Sequence, residues 1–196
     1  MDNQKSEIAA VAAAYVVDEG AAYGDAKKQA LRQLGLGPRT PLPDNDQLEA
    51  AVREHIALFA ADTQPQELLA LRRLALPWME RLLEFRPYLG GAVWHGTATR
   101  HSDIYLHLFC DDSKSAEIWL IDHGVSFQTC TVNAWNGQHA EALSVKLRCE
   151  ELQVFVGMHL LVCDLDDLRG ALRPDSQGRS PRGDCQAVRQ LLDAKH

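Results

Sequence analysis

The stretch LGGAVWHGTATRHSDIYLHL, Leu89 to Leu108, sets a small-residue turn and a polar spacer ahead of a strand whose first polar residue is an acid. From Ile104 the pattern has a period of two. Ile104, Leu106, Leu108 and Cys110 fall on one side, and Asp103, Tyr105, His107 and Phe109 on the other. Successive side chains of a strand point to opposite faces, so this alternation predicts a half-buried strand with its apolar side towards a core.

Upstream of this stretch the period is helical. Ile8, Ala12, Tyr15 and Val16 predict a first helix that stops at Gly20. Asp25 is expected to cap a second, carrying Ala26, Ala30 and Leu34 and ending at Gly35. After the Gly- and Pro-rich connector GLGPRTPLPDND, Leu48, Val52, Ile56 and Phe59 form the stripe of a third helix. A fourth should start behind Thr63, bend at Pro77, run to about Phe85 and end at Arg86-Pro87.

Downstream, Asp111, Asp112 and Ser113 make a turn, and Glu117 to Asp122 is expected to be a second strand. Leu143, Val145 and Leu147 mark a third strand, and Leu152 to Val162 a fourth, with Phe155, Gly157 and His159 on its polar side. A short helix over Asp166 to Leu172, the loop RPDSQGRSPRGD and a last helix from about Arg182 to Ala194 close the chain. Helices first and strands later predict an α+β fold, with residues 1–62 as a helical section and residues 63–196 as the α+β domain.

The 27 acidic against 20 basic residues give a net charge of −7, and no run of Lys or Arg marks a nucleic-acid or membrane footprint. No apolar run approaches the ~18 residues of a membrane span, and the first residues lack the basic start and apolar core of a signal peptide, so a cytoplasmic location is expected. The five cysteines are widely spaced without a CxxC pair, which predicts buried or idle thiols.

A Gly-Gly turn lets backbone N–H groups approach phosphates with no Cβ in the way, and an acid opening a nearby strand can hold the magnesium that bridges them. Leu89-Gly90-Gly91, eleven intervening residues, then Asp103-Ile104 resembles the signature of the nucleotidyltransferase superfamily, the polymerase-β-like fold. An alternative placement puts the signature turn at Gly96-Thr97, with a five-residue spacer. The segment from about Arg86 onward, with HGTATRHSDIYL and DDLRGAL, is also similar to a group of small bacterial proteins. The resemblance implies a mixed or antiparallel sheet with flanking helices. It implies that Gly90-Gly91 or Gly96-Thr97, with Arg100 and Ser102 close by, meet the phosphates of a nucleoside triphosphate, and that Asp103 is the first metal-binding carboxylate.

The chain departs from that pattern where the family has its other acids. The second acid position is Tyr105, and the third falls best on His159, with Glu117 or Asp122 as weaker substitutes. Hard Mg²⁺ demands anionic oxygen, whereas a phenol with an ordinary pKa near 10 stays protonated at pH 7 and a neutral imidazole is a poor magnesium ligand. Magnesium is thus a weak expectation, and the implied protein is a catalytically degenerate nucleotidyltransferase that binds a nucleotide or a partner. Two alternatives stand beside it: an active enzyme moving NMP onto a protein, RNA or small molecule, and an interaction protein using its N-terminal helices.

The remaining reactive residues suggest little. Histidines 95, 101, 107, 123, 139 and 159 form neither HxxxH nor HExxH, although His107 and His159 could share a face with Asp103 if their strands are neighbours. Ser126 and Cys130 have no base at a diagnostic spacing, so the sequence gives nucleophilic catalysis no support. Trp78, Trp94, Trp119 and Trp135 are expected to pack rather than stack on bases.

Overall fold

The computed structural model describes residues 2–112, 114–133, 139–175 and 178–194; Ser113 of the expected turn, Trp135 and two residues of the RPDSQGRSPRGD loop lie outside the described residues. The chain is α+β and divides into two units. One comprises residues 1–68 with Thr97–Ser102; the other comprises Leu69–Gly96 and residues 103–196. Among the described residues no helix is long and apolar enough to cross a membrane.

The first unit holds α1 (Asp2–Glu19), α2 (Tyr23–Gln33), α3 (Asn45–Phe59) and the first turn of α4 (Gln64–Arg81). Ala9, Ala12 and Ala13 of α1 are buried with Ile8, Leu48 and Val52, so small side chains let the helices of this unit pack at short range. Gly20 ends α1 at φ +71°, as its position predicts. Asp25, expected as a cap, lies inside α2, which starts at Tyr23; there its charge suits the helix N-terminus and it pairs with Lys28 at 3.2 Å. The cap that does form is at α3. Asp44 Oδ1 accepts from Gln47 N at 2.7 Å while Asp44 N donates to Gln47 Oε1 at 3.0 Å, a capping box worth about 1 kcal/mol.

Thr97–Ser102, the middle of the deciding stretch, belongs to this helical unit. Gln64 Nε2 donates to the carbonyl of Ala98 at 2.9 Å, and the Thr99 hydroxyl donates to the carbonyl of Val17 at 3.0 Å. A Cβ on Gly20 would lie 2.2 Å from the His101 carbonyl oxygen, so Gly20 serves the close approach of this segment as well as the helix end.

The second unit is built on a sheet of five strands in the order β1-β2-β5-β4-β3: β1 (Tyr88–Gly90), β2 (Ile104–Cys110), β3 (Gln128–Asn133), β4 (His139–Cys149) and β5 (Val154–Asp164). β2 and β5 are parallel and the other pairs antiparallel, so the sheet is mixed. Short α5 (Gly91–His95) follows β1, α6 (Ser115–Asp122) follows β2, and α7 (Leu168–Ala171) and α8 (Cys185–Asp193) follow β5. Ile104, Leu106, Leu108, Met158 and Leu160 are fully buried on one sheet face, the face the alternation assigns to the core.

Besides the Asp25 cap, three of the expected elements differ from the sequence expectations. Glu117 to Asp122 is the helix α6, not a strand: Ala116 and Leu120, four apart, are buried while Ile118 and Ile121 are exposed, and Lys114 pairs with Glu117 at 2.8 Å. A four-residue apolar run between two acids fits either period, and packing decided it. The fourth helix stops at Arg81, one turn after Pro77, and a 3-10 turn over Leu83–Phe85 carries the chain to Arg86 at φ +48°. β2 is not half-buried along its length, since His107 and Phe109 are covered too, Phe109 meeting the edge of Tyr88 at 5.8 Å.

Candidate functional site

The second sheet face has a closed end and an open end. At the open end, register brings side chains from four strands together: Tyr105 lies opposite His159, His159 opposite Ser144, and Ser144 opposite Gln128. A pocket of about 510 Å³ opens there, lined among others by Asp103, Ser126, Gln128, Ser144, Lys146 and His159. Phe155, also in its wall, is 60% exposed and carries Lys146 Nζ at 4.5 Å above its ring.

Asp103 stands one residue ahead of β2, where its carboxylate continues the ladder that the backbone has not yet begun. Its Oδ1 accepts from Gly157 N at 2.9 Å and its Oδ2 meets His159 Nε2 at 3.0 Å. Gly157 makes this fit, since a Cβ there would lie 2.8 Å from Oδ1. The other ring nitrogen, His159 Nδ1, faces Cys130 Sγ of β3 at 3.8 Å, and the Tyr105 ring leans over the imidazole at 4.9 Å between centroids. Burial, the Asp103 charge and Cys130 raise the Tyr105 pKa, so the phenol holds its proton more firmly than usual.

Of the residues singled out from the sequence, the structure brings Asp103, Tyr105 and His159 into one cluster. Gly90 and Gly91 lie beside it, and packing accounts for both. A Cβ on Gly91, at φ +64°, would touch Tyr105 Cδ2 at 3.4 Å, and one on Gly90 would meet His107 Cε1 at 3.0 Å. Gly96 ends α5 at φ +86°. Thr97, Arg100 and Ser102 lie in the helical unit, where Thr97 is 3% exposed, the Arg100 N–H donates to Glu67 Oε2 at 3.0 Å, and Ser102 Oγ accepts from Thr99 N at 3.0 Å. Glu117 and Asp122, on α6, do not line the pocket.

Magnesium does not fit this donor set. One carboxylate has both oxygens hydrogen-bonded, the neighbouring phenol is protonated, and among the described residues no group of three His, Cys, Asp or Glu could hold a metal ion. Asp103 and Cys130 sit on opposite nitrogens of one imidazole, which also keeps them from sharing a softer metal.

At the closed end of the same face stand His107, Phe109 and the buried Arg182, which donates to the carbonyl of Ala171. Burial first, and the Arg182 charge second, push the His107 pKa down to about 3, and its Nδ1 has no hydrogen-bond partner. Cys163 is pushed up to about 11 by burial. Trp94 packs here as expected, donating from Nε1 to the Ser180 carbonyl at 2.7 Å, and Trp119 stacks on His123. The backbone of His139 lies in β4; its side chain is outside the described residues.

Cys130 is the member of this cluster that sequence spacing does not place there. Its neighbour His159 lies 29 residues downstream and Asp103 lies 56 residues before His159, so no local motif records the set. The usable signal was the alternation of β5, which placed His159 on the polar face. Compared with known proteins, the chain matches no family model and no curated protein.

Proposed function

We propose that the sheet unit is a nucleotidyltransferase-like module, degenerate for metal-dependent transfer, that binds a small anionic ligand, with a nucleoside triphosphate as the class its sequence resemblance implies. The observation that carries this is the state of Asp103: its carboxylate is bonded to Gly157 N–H and His159 instead of facing a second acid across an ion site. Two-metal transfer needs carboxylates close enough to share ions, and among the described residues Asp103 is the one acid lining the pocket. What the pocket offers instead is a cation, Lys146, an exposed ring, Phe155, and the polar groups of Ser126, Gln128 and Ser144. A cation and an aromatic face suit a phosphate and a base.

The test is thermal unfolding of the full chain with ATP, CTP, GTP, UTP and inorganic triphosphate, each with and without Mg²⁺. Binding confined to the folded state raises stability by ~2.7 kcal/mol at a hundredfold excess over Kd. The expected result is a shift that does not need Mg²⁺ and is lost in Lys146→Ala. No shift with any of the five overturns nucleotide binding, and Mg²⁺-dependent release of pyrophosphate that vanishes in Asp103→Ala establishes the active enzyme instead. The helical unit exposes Leu58 and Phe59 at the end of α3, the apolar residues that the partner-binding alternative would use.

A further inference from the structure

We propose that Cys130, His159 and Asp103 form a nucleophile, base and orienting acid that transfer an acyl group through a Cys130 thioester, the donor being a small ester or thioester that carries a negative charge. A carboxylate at His159 Nε2 requires the proton on that nitrogen, because an ionised Asp103 can only accept. Nδ1 is then the lone-pair nitrogen, and it faces the Cys130 thiol at 3.8 Å. The Tyr105 ring packs on the imidazole, which holds the ring between its two partners. This is the geometry in which a base takes a thiol proton while a third group fixes its tautomer.

The other partly exposed thiols are held differently. Cys110 donates to the Asp112 carbonyl and Cys163 to the Leu161 carbonyl, acceptors that keep a thiol protonated. The pocket beside His159 and Asp103 supplies the substrate preference, because Lys146 in its wall can meet an anionic group on the acyl chain.

In the first step the Cys130 S–H proton passes to His159 Nδ1, sulfur forms a bond to the acyl carbon, the bond from that carbon to the leaving alcohol or thiol breaks, and the leaving group takes the proton from Nδ1. In the second, water adds to the thioester and gives a proton to Nδ1, the carbon–sulfur bond breaks, and the sulfur regains that proton as the carboxylic acid departs. The sum is acyl donor plus water to acid plus alcohol or thiol, with no external oxidant or reductant.

The experiment treats the full chain with 4-nitrophenyl acetate and 4-nitrophenyl hydrogen succinate, following nitrophenolate release and the acylated peptides by mass spectrometry. Cys130 should acylate about a hundredfold faster than Cys110 or Cys163, the scale of a positioned general base. His159→Gln should bring Cys130 down to the rate of the other two, Cys130→Ser should abolish the burst, and Lys146→Ala should remove the preference for the succinate. Asp103→Asn should slow acylation about tenfold at unchanged circular dichroism, and Asp103→Glu should restore part of it, as a positioning role requires. Equal labelling of Cys130, Cys110 and Cys163 in the unaltered chain overturns the proposal without any variant, and so does a His159→Gln chain that acylates as fast as the parent. The proposal needs no nucleotide, so a null thermal shift leaves it standing and a null acylation leaves nucleotide binding standing.

Discussion

His107 and His159 stand on the same face of one sheet, on adjacent parallel strands, two register positions apart, and they are opposites. His107 is 6% exposed, has an unpartnered Nδ1 and lies near a buried cation, so it is held neutral. His159 has a partner on each ring nitrogen and borders a pocket. The imidazole is the same; cover and neighbours differ. At the closed end the residue serves packing, and at the open end the polar cluster that costs stability elsewhere becomes a candidate for chemistry.

The largest effect should come from opening the closed end. Phe109→Ala removes a ring that is 1% exposed and meets Tyr88, and should cost about 3–5 kcal/mol in urea unfolding. A loss under about 1 kcal/mol would mean that this end is not sealed.

Acid should act on His107 next. The folded state holds His107 near pKa 3 while the unfolded chain takes a proton below about 6.5, so the unfolded state binds more protons between those values. Its contribution to stability is therefore complete above about pH 6.5 and is lost as pH falls towards 3, at up to ~1.4 kcal/mol per pH unit. About 2 kcal/mol should go between pH 6.5 and pH 5, and His107→Gln should flatten that part of the profile. A variant with the parent's slope would remove His107 as the cause.

At the open end, Gly157→Ala places a methyl 2.8 Å from Asp103 Oδ1 and should push the carboxylate off both partners at a cost of about 1–2 kcal/mol. The loss of the His159 Nε2–H signal in the NMR spectrum, with the His107 signals unmoved, would localise the effect. An unchanged His159 signal would mean that Asp103 does not set its tautomer. The smallest stability effect is Lys146→Ala, expected within about 0.5 kcal/mol because the side chain is exposed, while ligand-dependent stabilisation disappears.

Much of the fold was legible because burial imposes a period. The helices of α1 and α3, the core face of β2 and the polar side of β5 all follow from apolar spacing. α6 was misread because EIWLID satisfies two periods at once, and β3, with sequence QTCTVN, was missed because it carries too few apolar residues to show one. At the site, Asp103, Tyr105 and His159 could be named in advance, whereas Arg100, Ser102 and Thr97 proved to belong to the helical unit. Adjacency along the stretch had suggested one cradle, but hydrogen bonds to Gln64 and Val17 tie its middle to the helices while Asp103 turns to β5.

The sequence by itself determined the α+β class, the order of helices before strands, and the lack of a second acid at position 105, because composition and period are local properties. The tertiary structure alone decided that His159 orders on Asp103 and faces Cys130, since Asp103 precedes β2, His159 lies on the adjacent β5, and Cys130 lies on β3, across β4 from β5. Register is a long-range property: it is fixed by which strands bury their apolar faces together, and no spacing within one segment records it.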